Sequence, residues 1–211
     1  MKRTAFVTGI TALVAAWGVA ATGHGVTGHM AAHMVSVAIA APLMAFGFAG
    51  TPADPASRWP LIVVPVPMSL IELLVVWGWH LPAARSFATS SAAGLVLEQG
   101  MFLVAGLLLW SACLGTGDVG NSARRAAGII ALLLTTMHMT LLGTLITLAP
   151  RTLFGTAGFS CLSVTLSPIV DQQLGGVIML LVGAGSYLFG GLALLIRLLR
   201  DERPGEAQQW S

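Results

Sequence analysis

The stretch Ala126–Leu148, AAGIIALLLTTMHMTLLGTLITL, contains no Asp, Glu, Lys or Arg from end to end. At 1.5 Å per residue a helix of this length covers the ~30 Å hydrocarbon core of a bilayer. The run is continuously apolar rather than alternating, and an open strand in lipid would leave its backbone N–H and C=O groups without partners. It therefore reads as a membrane-spanning helix with one histidine, His138, near its middle.

Runs of comparable length lie outward of it at about 4–22, 27–49, 60–79, 92–114 and 174–199. Together they predict an all-α, polytopic transmembrane bundle of about six helices in one membrane domain. Residues 1–22 form a first helix or signal-like segment, 27–199 the main bundle, and 200–211 a polar tail. Lys2-Arg3, an apolar stretch and Val19-Ala20-Ala21 also resemble a secretory signal, and cleavage there would leave five helices. The composition agrees, with 56% hydrophobic and 9% charged residues and a mean hydropathy of +0.87. A net charge of +2, spread over short clusters, excludes a nucleic-acid partner and leaves the lipid bilayer as the surroundings. Breakers mark the connections at Thr51–Pro55, His80–Pro82, Gly115–Asp118 and Ala149–Gln172. Pro42, Pro65 and Pro67 fall inside the second and third runs, where each removes a backbone donor and loosens the helix.

Basic residues give the orientation. With a cytoplasmic N-terminus, Lys2, Arg3, Arg58, Arg124, Arg125, Arg197, Arg200 and Arg203 all fall inside and only Arg85 and Arg151 outside. Both termini are then cytoplasmic, and Cys113 and Cys161 fall on opposite sides, too far apart to pair. The five histidines, His24, His29, His33, His80 and His138, all fall in the outer half.

Three of those histidines and two methionines crowd into GHGVTGHMAAHM, Gly23–Met34. Imidazole and thioether together suit copper, Cu(I) above all. His29 and His33 are four residues apart and share a helix face, with Met30 and Met34 on the adjacent stripe. Counted from the assumed outer ends, His33 lies about 9 Å deep and His138 about 15 Å deep, so the two can meet. His29, His33 and His138 are the expected primary ligands, with His80 and His24 at the mouth. A lone histidine in a span is often only an interhelical hydrogen-bond donor, a reading that suits His24 or His80 taken singly better than the deeper group. Met137 and Met139 flank His138 about 100° to either side and cannot both join it.

Glu98, with Gln99 beside it, lies inside the fourth run, and Asp171 opens the last one. An ionisable group in a span faces the protein interior, and Glu98 is expected to orient a histidine through the nitrogen not bound to metal. Glu72 sits mid-span and suits packing or a proton path. Ser186 and Gly190 give a small face for helix packing or a homo-oligomer contact.

Five segments, HMAAHMVSVAIAAPLMAFG from His29, WGWHLP from Trp77, LEQGMFLVAGLLLW from Leu97, HMTLLGTLITLAPR from His138 and DQQLGGVIML from Asp171, together resemble the CtaG-type cytochrome c oxidase assembly factors. The resemblance implies a protein of the bacterial plasma membrane that helps mature a haem–copper oxidase by handling copper at the outer face. Its partner would be an oxidase subunit or a periplasmic copper carrier. It carries the family's histidines onto His29, His33, His80 and His138 and its acidic residue onto Asp171. Members commonly have a histidine where this chain has Gln99, and about seven spans rather than six. A rival reading is a haem-b electron carrier or quinone oxidoreductase with His33 and His138 as axial ligands. A metal transporter ranks last, because few polar residues continue through the inner half. No catalytic triad, phosphate loop or paired carboxylates point to an enzyme.

Overall fold

In the computed structural model the structure describes residues 1–22, 25–115, 122–155, 160–161 and 164–201. His24, most of the Gly115–Asp118 connection and the tail beyond residue 201 lie outside the described residues. The apolar run around His138 is the long helix α8, Ser122–Leu148. The other elements are α1 (Lys2–Ala21), α2 (Gly25–Met34), α3 (Ala41–Phe48), α4 (Pro55–Arg58), α5 (Pro65–Trp79), α6 (Pro82–Ser90), α7 (Ala92–Leu114), α9 (Pro168–Ile178) and α10 (Gly185–Asp201). A two-residue antiparallel pairing of β1 (Ser160–Cys161) with β2 (Val164–Thr165) lies in the loop before α9. Among the described residues five helices are long and apolar enough to cross a membrane, and a sixth if the bent pair α5–α6 is one span. The chain is a polytopic helical membrane bundle.

The third span differs from its sequence reading. Pro65 and Pro67 do not interrupt a helix but begin one, since α5 starts at Pro65, where a missing N–H costs nothing. Its 15 residues cover only about 22 Å, and after His80 the chain bends by 74° into α6. Pro82 starts α6 just as Pro65 starts α5.

The second and last spans are each interrupted by a π-helical turn, at Val35–Ala40 and Met179–Ala184. The first has a readable cause. Pro42 has no N–H to give Ala38, and the N–H of Ala41 goes to Ser36, so the carbonyls of Val37 and Ala38 lose their α-helical donors. Side chains from other helices replace them: Trp110 Nε1 donates to Val37 O at 3.0 Å, and Ser186 Oγ donates to Ala38 O at 2.6 Å. Beside them Tyr187, stacked on Trp110, donates a hydrogen bond from its hydroxyl to Glu72 Oε1. Ser69 and Thr135 pair at 2.9 Å between α5 and α8. Glu72 is thus part of a buried interhelical network, and Ser186 and Gly190 serve packing within the bundle, Gly190 against the Trp110 ring.

Hydrogen bonds identify the two ends. At one end Lys2 Nζ donates to Ala49 O, Arg124 Nη2 donates to Val63 O, and buried Asp54 caps α4. At the other end α2 and α9 begin side by side, α5 ends, and α6 lies against the start of α7. All four described histidines are nearer this second end, or at mid-span in the case of His138.

Helices α8 and α9 cross where Gly176 faces Gly143. A Cβ built at Gly176 would lie 2.2 Å from Thr147 Oγ1 and 2.8 Å from Gly143 O, whereas one at Gly100 meets nothing within 4 Å. Gly176→Ala is therefore expected to cost ~1–3 kcal/mol through overpacking, and Gly100→Ala to be neutral; thermal unfolding in detergent reads both.

Asp54 supplies a pH dependence outside the spans. Burial pushes its pKa up, but donors from Ser111 Oγ, the Gly50 N–H, Ser57 Oγ and the Ala56 N–H outweigh this and hold it below the usual value. A depressed folded pKa contributes stability that is present above the unfolded value of about 3.9 and lost as pH falls through the folded one. Asp54→Asn should lower stability at neutral pH by ~1–3 kcal/mol and flatten the acid limb of a melting-temperature profile.

Candidate metal centre

The mouth of the bundle is built around α2. Asp171, the first-turn carboxylate of α9, accepts the N–H of Val26 at 2.7 Å and of Thr27 at 2.9 Å, and Thr27 Oγ1 donates to the Asp171 carbonyl at 3.1 Å. The first N–H groups of a helix have no partner of their own, so this carboxylate both caps α2 and fixes it to α9. Its role in the structure is to hold the histidine helix in place. Gln172 next to it ties down the loop after α8, accepting from Leu153 N–H and donating to Ile146 O.

One turn below that cap, three imidazoles come together. Ring centroids are 5.2 Å apart for His33 and His80, 5.7 Å for His29 and His80, and 6.2 Å for His29 and His33. Three imidazoles bound to one metal through nitrogens 2.0–2.1 Å away would have centroids roughly 5–5.5 Å apart, so small rotations would complete the set. Among the described residues no three His, Cys, Asp or Glu side chains already converge on an ion position. Phe102 forms the wall, with its ring stacked on His33 at 3.9 Å and 16°.

The tautomer of His80 follows from its partner. Its Nδ1 lies 2.6 Å from Val76 O, and a carbonyl can only accept, so Nδ1 carries the proton. Nε2 then presents a lone pair, and it faces the thioether sulfur of Met30 at 3.4 Å. Two electron-pair donors thus face each other with no proton between them. A soft cation bound between them would turn this contact into an attractive one. Both ring nitrogens of His29 and of His33 are buried without hydrogen-bond partners, which at 4% and 0% exposure is costly unless something binds them.

His138 stands apart from this group. It is buried, and both its nitrogens lack partners, but it makes ring contact with none of the three. Helix α8 packs on α5, α9 and α10. Met139, next to it, is buried near Gly183, and Met137 points outward at 69% exposure. Met34 packs its sulfur over Gly183.

Glu98 is fully buried, with Oε2 3.5 Å from His29 Nδ1, and both its oxygens are held by Arg85 Nη1 at 3.1 and 2.8 Å. Gln99 is buried beside Glu98. The sequence reading missed Arg85 and Phe102. A signal for Arg85 was there: a lone carboxylate in a span needs a cation, and only Arg85 and Arg151 were assigned to that side. A cavity of about 790 Å³ opens on the cluster, with His29 and Arg85 in its wall beside Gly25, Ser91, Leu153 and Phe154.

The fold and this cluster define a multi-pass membrane protein with a buried imidazole–thioether group beneath one mouth of the bundle. Residues 1–201 match the cytochrome c oxidase caa3 assembly factors, and the chain belongs to that family. Neither a curated protein nor a solved structure matches it.

Asp171→Ala should release the start of α2 at a cost of ~0.5–2 kcal/mol, read as a lowered melting temperature. Faster amide exchange at Val26 and Thr27 is expected in the same variant.

Proposed function

We propose that this assembly factor is a non-catalytic copper carrier, binding the ion at His29, His33 and His80 with the Met30 sulfur beside them. It passes the ion to a haem–copper cytochrome c oxidase subunit, or to a soluble copper carrier serving one, at the outer face of the plasma membrane. The observation that carries this reading is the approach of His80 Nε2 to Met30 Sδ at 3.4 Å, beside two histidines whose buried ring nitrogens have no partners. The donors are neutral and soft, as Cu(I) prefers. The Val76 carbonyl fixes the His80 tautomer in the way outer partners of metal-bound histidines do. A cavity leading to His29 supplies the route in and out that transfer requires. The basic residues at the opposite end, Lys2, Arg58 and Arg124 among them, support a cytoplasmic placement of that end.

Protein purified in mild detergent is expected to hold copper, and His33→Ala and His80→Ala to lower bound copper by about tenfold or more. Both substitutions should also reduce oxidase activity in the cell. His138→Ala separates the ligand sets: full retention leaves the ion with the cluster of three, and loss brings His138 into it. Copper-free wild-type protein overturns the proposal, and a Soret band in its visible spectrum would assign haem b instead.

A further inference from the structure

The Glu98 carboxylate is close to the histidine cluster and yet withheld from it. Its Oε2 lies 3.5 Å from His29 Nδ1, and it is the one carboxylate that approaches the three rings among the described residues. Both oxygens nevertheless turn to one nitrogen of Arg85, at 3.1 and 2.8 Å. The carboxylate is fully buried and the arginine side chain is 14% exposed, so solvent screens the pair little. Arg85 comes from α6, the helix that departs at 74° from α5, and its side chain reaches the wall of the cavity that also exposes His29.

The chemistry of the ligand set depends on this pairing. Three imidazoles and a thioether are neutral, suited to a soft monovalent ion. Adding a carboxylate would make the set anionic and harder, suited to a tetrahedral divalent ion such as Zn²⁺. Building on the proposed metal reading, we propose that Arg85 sets the charge class of the metal. It holds Glu98 out of coordination, so that the site takes Cu(I) and refuses divalent ions. Arg85 is a positioning residue acting through Glu98.

The test titrates the full-length protein in detergent with Cu(I) against bicinchoninate and with Zn(II) against a chelating dye. In Arg85→Gln the Zn(II) affinity should rise about tenfold or more while Cu(I) affinity changes far less. Adding Glu98→Gln should return the Zn(II)/Cu(I) ratio to the wild-type value. An unchanged ratio in Arg85→Gln, or a shift that persists in the double variant, overturns the proposal. If wild type binds neither metal, the copper reading fails and this one with it. If it binds Cu(I) and the ratio does not move, only the role of Arg85 fails. Should Arg85→Gln not fold, infrared difference spectra of wild type carry the test. Carboxylate bands assigned to Glu98 by their loss in Glu98→Gln should stay in place on Cu(I) loading, and a shift overturns the proposal.

Discussion

A carbonyl that loses its helical donor inside lipid finds no water to replace it, so a side chain from another helix must supply the hydrogen. Pro42 creates this need at the middle of the second span, and the tertiary structure is arranged around the answer. Trp110 from α7 and Ser186 from α10 donate to Val37 O and Ala38 O, placing three sequence-distant helices in contact at one level. Tyr187 and Glu72 extend the same layer toward α5. Above it, the Asp171 cap does for the first N–H groups of α2 what Trp110 and Ser186 do for its interior carbonyls. The histidine segment is held between these two points, its cap and its π turn.

The arrangement of the imidazoles follows from that restraint. His29 and His33 come from one helix and can be presented together by periodicity alone, but His80 belongs to the last residues of α5, and the bend after it carries Arg85 back over the mouth. The proline that starts α6 therefore bears on the site as well. A straight continuation of α5 past His80 would carry Arg85 away from the cluster.

Spans, breakers and the gathering of polar groups toward one half of the bundle were legible in the sequence because they depend on length and hydropathy alone. The partnership of His29 with His33 was legible because an i, i+4 spacing is a local fact. What joins them was not. The count of depth favoured His138, yet depth says nothing of which way a side chain points around its helix, and His138 makes ring contact with none of the three. His80 looked peripheral because it ends a helix, although its backbone N–H still caps α5 and its ring turns back to Val76. The interruption at residues 35–40 was half visible: Pro42 announced a loosened helix, but not that the defect would be absorbed as a π turn.

That π turn changes which way the helix faces along its length. An extra residue in one turn rotates everything beyond it relative to an ideal helix, and the two halves accordingly rest on different neighbours, α2 on α9 and α3 on α7. The span is therefore one helix in two segments that differ in rotation about a common axis, with α1 running along both. One continuous span thereby shows two different faces: the half with His29 and His33 turns toward α9 and the end of α5, while the other half packs against α1 and α7.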